Sequence, residues 1–214
     1  YPELSEIEWA DLTKRSLKSQ CMTYAESVKI WGSSTDYVLS LIRNIDCADL
    51  FLQALKNLHG CLAVVPHFGT WELLNLWLNQ HTSPVIMYKP SKNQNIDRFT
   101  LEARQCLNVT LVATNDSGVC TLFKCSKQAG FSAILPDHIP KESGGIYSLF
   151  YNQNALSSTL LSKLAAKTQC SVVGLSCLRR NDLSDYDIIV TQLSDIILSK
   201  DLQLSVDTLN KEME

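Results

Sequence analysis

The sequence predicts an α/β fold: a largely parallel central sheet flanked by helices, with an N-terminal helical layer and a C-terminal antiparallel hairpin. Three observations support this prediction. From residue 61 onward, short apolar runs typical of strands alternate with helical patterns, as in a parallel sheet covered on both faces. The first 58 residues carry only helical patterns. The last two strand-like runs follow each other across a short polar turn, which favours antiparallel pairing.

The N-terminal layer, residues 1–58, contains three predicted helices. The first spans residues 5–31, with Ser5 as a candidate N-cap and apolar residues at helical spacing. Shorter helical patterns cover residues 36–43 and 47–58. These patterns predict an N-terminal layer made of helices.

The β/α core is predicted over residues 59–214. Its strands are predicted at residues 61–66, 84–89, 109–114, 132–136, 146–151, 171–178 and 186–193. Its helices are predicted at residues 70–80, 96–107, 117–129 and 157–168. The polar run 181–185 is the predicted turn of the final hairpin. With no repeat, low-complexity tract or linker in the chain, we predict a single domain over residues 1–214.

Composition limits the classes of protein that remain. Hydrophobic residues make up 45% of the 214 residues and charged residues 19%, which is typical of a packed globular chain. A net charge of −3 gives no indication of a nucleic-acid partner. Eight cysteines without a CxxC motif are typical of buried apolar residues in a reducing compartment. Cys120 and Cys125 share one predicted helix but lack nearby ligands for a metal site.

The most informative motif combines a histidine and a carboxylate at the end of the first predicted strand. His67 follows strand 61–66, and Glu72 comes after four intervening residues, at a helix start. Open α/β sheets bind ligands at this end, and a histidine that a carboxylate orients is a common general base. The two can meet only if Gly69 permits a sharp turn into a helix that Thr70 could cap. From the spacing alone, the favoured alternative is a histidine that satisfies a strand end and a glutamate that the helix dipole stabilises at a helix start.

Five segments together resemble one family. They are Tyr1-Pro2-Glu3-Leu4-Ser5-Glu6; His67-Phe68-Gly69-Thr70-Trp71-Glu72; Tyr88-Lys89-Pro90 with Asn95, Asp97 and Arg104; Leu135-Pro136-Asp137-His138; and residues 145–151 with 164–168. The second segment resembles the HX4D/E motif of the glycerolipid acyltransferase superfamily. The set is similar to the branch of that superfamily that adds secondary acyl chains to lipid A in Gram-negative bacteria. The resemblance extends from residue 1 to about residue 195.

The resemblance implies four substrate-binding residues. Arg104 and Lys89 correspond to positions that hold substrate phosphate, a task suited to the forked guanidinium of arginine. Lys89 stands where the family has arginine, so it keeps the charge and loses the fork. Asp137 and His138 correspond to a turn that lines the active cleft. From the residues alone, Arg104 also fits a solvated helix charge, and Asp137 fits an Asx turn before Pro140.

The resemblance implies an acyltransferase of lipid A biosynthesis. Its donor would be an acyl carrier protein or coenzyme A thioester, and its acceptor a hydroxyl of a lipid A precursor. His67 would act as general base and Glu72 would orient it, without a metal or other cofactor. The glycerol phosphate motif Glu-Gly-Thr-Arg is absent, which favours a lipid A-type acceptor. The alternatives are transfer to another glycolipid or lysophospholipid, thioester hydrolysis, and a non-catalytic lipid-binding protein.

The resemblance also implies attachment to the cytoplasmic face of the inner membrane. No apolar run of the sequence reaches the roughly 18–20 residues needed to span a bilayer. Candidates for membrane contact are the aromatic residues Trp9 and Trp31 and the basic residues Lys89, Arg179 and Arg180. The arginines are also candidates for contact with substrate phosphate or the carrier protein. Helix packing for the tryptophans and a solvated strand end for the arginines are the alternatives.

Overall fold

A seven-stranded sheet with helices on both faces organises the protein. The computed structural model describes residues 3–105, 108–180 and 185–214. The elements in chain order are α1 (Glu6–Gly32), α2 (Thr35–Ser40), β1 (Ile42–Asp46), α3 (Ala48–Ala54), β2 (Cys61–Val64), α4 (Trp71–Asn79), β3 (Val85–Tyr88), α5 (Gln94–Gln105), β4 (Thr110–Ala113), α6 (Asp116–Lys127), β5 (Phe131–Ile134), β6 (Gly145–Phe150), β7 (Gln153–Ser158), α7 (Leu160–Thr168), β8 (Ser171–Arg179), β9 (Tyr186–Gln192) and α8 (Leu202–Met213). The predicted α/β class is confirmed.

The strand order of the main sheet is β1-β9-β8-β2-β5-β3-β4. Its neighbours pair in parallel except β8 and β9, which form the predicted antiparallel hairpin. Three predicted features fall partly outside the described residues: Tyr1 and Pro2 of the first family segment, residues 106–107 of a helix, and residues 181–184 of the hairpin turn. The strands β2, β5 and β3 end at the same edge of the sheet, which we call the carboxyl edge.

Strand β2 lies at the centre of two hydrophobic clusters. Its side chains alternate between the faces of the sheet, and all four are buried. Cys61 and Ala63 join the cluster that includes α3 and α4, whereas Leu62 and Val64 join the cluster that includes α7 and α8. A central parallel strand is buried on both faces, which explains why β2 is apolar at every position and does not alternate with polar residues.

The prediction of a purely helical N-terminal layer is wrong at residues 42–46. This segment forms β1, which is an outermost strand of the sheet and pairs in parallel with β9. Ile42 and Ile45 pack against the core from this strand. Its polar residues and its short length do not give a strand pattern, so pairing with a partner more than 140 positions away overrides the local propensity.

A second correction concerns the predicted strand 146–151. It is confirmed as β6, but it pairs with an unpredicted strand, β7, in a separate two-stranded sheet. Tyr151 and Asn152 connect them with positive φ values of 48° and 57°, as a two-residue type I′ turn requires. Because β7 carries small and polar residues, its sequence does not predict a strand.

No helix within the described ranges is both long enough and apolar enough to cross a membrane.

Candidate active site

The site lies at the carboxyl edge, where the loops after β2 and β5 run side by side. The two strands pair in parallel over their full length, and the Val65 amide extends the ladder by donating to the Ile134 carbonyl at 2.9 Å. His67 comes three residues after β2, and Asp137 comes three residues after β5. Equal distances from the ends of paired parallel strands bring the two residues together.

Asp137 contacts His67 through both of its carboxylate oxygens. Oδ2 accepts the His67 backbone N–H at 2.6 Å, and Oδ1 lies 2.8 Å from the imidazole Nδ1. The Asp137 side chain is only 16% exposed, whereas the His67 side chain is 44% exposed. The Trp71 ring packs edge-on against the imidazole, with centroids 5.1 Å apart. The imidazole is therefore fixed on one side and open to solvent on the other.

The charge of Asp137 sets the tautomer of His67. Burial raises the pKa of the Asp137 carboxyl, but the hydrogen bonds from the His67 ring and backbone outweigh burial and bring that pKa below its ordinary value. An ionised carboxylate only accepts, so Nδ1 of a neutral His67 carries the hydrogen and Nε2 carries the lone pair. Nε2 is thus the ring nitrogen that can take a proton.

The expected contact between His67 and Glu72 is not formed. Glu72 lies on the first turn of α4, is 4% exposed, and contacts side chains of α1 and α5. It accepts from the Arg104 Nη2 and, at 3.0 Å, from the Trp31 indole N–H. Both oxygens of Glu72 are committed to these donors, so Asp137 takes the position at His67 predicted for Glu72.

Comparison of the sequence with models of known families identifies one family. The model of the family described as bacterial lipid A biosynthesis acyltransferase matches residues 1–214, the whole chain. The chain belongs to this family. Members of the family are acyltransferases, so the protein is an acyltransferase of lipid A biosynthesis. A search of curated proteins finds no match.

The remaining predicted residues of this acyltransferase occupy three different settings. Arg104 pairs with Glu72 and lies over the Tyr88 ring, 5.7 Å from its centroid, while its buried Nε has no partner among the described residues. Lys89 is exposed just after β3, in the loop next to β5 at the carboxyl edge. His138 is exposed, and its Nδ1 contacts the Leu135 carbonyl at 3.0 Å. Lys89 and His138 are exposed, whereas the Arg104 side chain is only 20% exposed.

Two apolar residues flank the His67–Asp137 pair and were not predicted as site residues. Phe68 is 61% exposed directly after His67, and Ile139 is 82% exposed two residues after Asp137. Exposed apolar side chains beside a polar pair suit a substrate with hydrocarbon chains. Phe68 and Ile139 lie outside any strand or helix pattern of apolar residues, and this was the only signal in the sequence that they could be exposed. Within the described ranges, no group of three or more histidine, cysteine, aspartate or glutamate residues could hold a metal ion.

Proposed function

We propose that the protein transfers a fatty acyl chain from a thioester directly to a hydroxyl of a lipid A precursor, with His67 as general base and Asp137 as the residue that orients it. The supporting observation is the 2.8 Å contact between the His67 Nδ1 and the Asp137 Oδ1, which leaves the lone pair on Nε2 of a side chain that is 44% exposed. A carboxylate at Nδ1 also offsets the charge that the imidazole gains.

The reaction proceeds by direct transfer. The acceptor oxygen attacks the thioester carbonyl carbon, and the His67 Nε2 takes the hydroxyl proton as the carbon–oxygen bond forms. The tetrahedral intermediate then collapses, the carbon–sulfur bond breaks, and the departing sulfur takes the proton from the imidazolium. Neither an acyl-enzyme nor a metal is needed for this sequence. Asp137 stays ionised throughout and stabilises the imidazolium.

Membership of the family and the surface around the pair support a proposal for the substrates and the location. The donor is acyl carrier protein or coenzyme A thioester, and the reaction takes place on the cytoplasmic face of the inner membrane. Lys89 and Lys92 are exposed in the loop after β3 and suit the phosphates of either substrate. Phe68 and Ile139 offer the hydrocarbon chains an apolar surface beside the base.

The test is acyl transfer from both thioesters to a lipid A precursor, followed by mass spectrometry. His67→Ala should lower the rate about 10²–10⁴-fold without unfolding the protein, the usual cost of losing a general base. His59→Ala, which changes an exposed loop histidine before β2, is the matched control and should leave the rate unchanged. Near-normal transfer by His67→Ala would refute the mechanism. Release of free fatty acid without transfer would show that water is the acceptor.

A further inference from the structure

The turn that carries His67 is anchored from below by two other elements, α1 and β8. We infer that Glu26 and Arg179 form a positioning pair that fixes this turn, through Thr70, so that His67 stays aligned with Asp137. The inference rests on the proposed role of His67 as a base. Among the described residues, Glu26 and Arg179 form no hydrogen bond with His67, whereas Glu26 accepts one from Thr70, so we place their effect on His67 through Thr70.

Strand β8 holds the backbone of the turn. The Thr70 amide donates to the Cys177 carbonyl at 2.8 Å, and Gly69 forms an isolated parallel bridge with Cys177. Gly69 has a φ of +65°, and a Cβ built on it would lie 2.1 Å from the Cys177 carbonyl oxygen. The turn and the strand are therefore in close backbone contact, in a conformation that favours glycine.

Helix α1 holds the side chain of Thr70. The Thr70 Oγ1 donates to the Glu26 Oε2 at 2.8 Å, and the Thr23 hydroxyl donates to the Gly69 carbonyl at 3.4 Å. Thr70 is 1% exposed and sits at the N-cap position of α4, but its hydroxyl does not cap the helix as the sequence suggested. Because the Thr70 hydroxyl donates to Glu26 of α1, the residue links the start of α4 to α1 and does not cap α4.

Arg179 fixes the carboxylate that Thr70 contacts. Its Nη2 donates to the Glu26 Oε2 at 2.6 Å and its Nε donates to Oε1, a forked pairing in which both side chains are 12–13% exposed. This pairing commits Arg179, which the sequence suggested for phosphate or carrier contact. His67 is three residues from Thr70, whereas Asp137 is held by a different strand. A shift of the turn would therefore separate the base from its carboxylate.

The test compares variants that keep or lose the hydroxyl of Thr70. Thr70→Val removes the hydroxyl at nearly constant volume, and Thr70→Ser retains it. We expect Thr70→Val to lower kcat for acyl transfer about tenfold or more, because small misplacements of catalytic groups have effects of this size. KM for the thioester should stay unchanged, and Thr70→Ser should restore kcat. Glu26→Gln, which breaks the fork with Arg179, should lower kcat in the same way.

The control separates positioning from general destabilisation. Thr168→Val removes another buried threonine hydroxyl, which donates to the Leu164 carbonyl at 2.8 Å on the opposite face of the sheet. It should lower the midpoint of thermal unfolding as Thr70→Val does, but leave kcat unchanged. If His67→Ala is inactive while Thr70→Val and Glu26→Gln keep the normal kcat, the positioning inference is wrong and the proposed function stands. If His67→Ala remains active, both are wrong.

Discussion

His67 and Asp137 lie 70 positions apart in the chain and share two hydrogen bonds at the carboxyl edge of the sheet. One binds the backbone of His67 and the other binds its ring, so a single carboxylate fixes both the position and the tautomer of the imidazole. Glu72, which completes the sequence motif with His67, instead holds Arg104 and Trp31 in the layer behind. The two carboxylates therefore have separate tasks.

We predict that Asp137→Asn lowers kcat for acyl transfer by about 10²–10⁴-fold, because the amide cannot stabilise the imidazolium and can impose the wrong tautomer. Circular dichroism should show an unchanged fold. Glu72→Gln, measured at a temperature below the midpoint of its thermal unfolding, should lower kcat much less than Asp137→Asn does. The opposite order of effects would return the orienting role to Glu72.

Removal of Arg104 should affect stability. Arg104→Ala leaves the buried Glu72 carboxylate without its cation, which typically lowers the free energy of unfolding by on the order of 3 kcal/mol. Urea unfolding monitored by tryptophan fluorescence measures the change. The matched control is Arg98→Ala on the same helix, whose side chain is 76% exposed and pairs with an exposed glutamate; it should change stability little. Equal effects of the two substitutions would contradict the buried role of Arg104.

Gly69→Ala should disrupt the turn that carries His67. A Cβ at this position meets the Cys177 carbonyl oxygen, and a positive φ at an alanine costs about 1–3 kcal/mol even without the clash. We expect a lower unfolding midpoint and loss of acyl transfer. Gly32→Ala is the control because a Cβ at Gly32 has no neighbour within 4 Å. A fully active Gly69→Ala protein would show that the turn tolerates the displacement.

The Glu26 carboxylate should make stability depend on pH in the acid range. Burial raises the pKa of Glu26, but the hydrogen bonds from Arg179 and Thr70 outweigh it, so the pKa in the folded state lies below the ordinary 4.5. The unfolded chain then binds more protons, so this contribution is complete above pH 4.5 and is lost as pH falls through the folded-state pKa. Wild type should be more stable than Glu26→Gln at pH 7, and the difference in urea unfolding free energy should shrink as the pH is lowered below 4.5. A constant difference would contradict the ionic contribution.

The carboxyl edge should contact anionic lipid. We expect the protein to float with anionic vesicles at low salt and to be released as salt rises, because Lys89 contributes electrostatically and screening weakens that attraction. Ile139→Ser should reduce binding by removing an apolar side chain that is 82% exposed at this edge. Leu58→Ser removes an equally exposed side chain, 86%, from the loop that enters β2 at the opposite edge, and should not change binding. Equal losses would assign membrane contact to another surface.

The sequence alone determined the features that depend on local pattern. Strand β2 is apolar at every position because both of its faces are buried, and the capping box of Ser5 and Glu8 begins α1 where the N-cap signal places it. The His67 motif lies at a strand-to-helix turn, with Gly69 in the positive-φ conformation that such a turn requires. Each of these features involves residues within a few positions of one another, so residue types and their spacing are enough to predict it.

Only the tertiary structure decided which side chains meet. Asp137 reaches His67 because β5 pairs with β2, although β3 and β4 come between them in the chain. Arg179 meets Glu26 across 153 positions because β8 pairs with β2 on the side opposite β5 and places Arg179 at its end within reach of α1. Strand order depends on how the whole sheet buries its apolar faces, so it cannot be predicted from any short segment of the sequence. The sequence could therefore place His67 at this edge, whereas the identity of the carboxylate that contacts it depends on the arrangement of the strands.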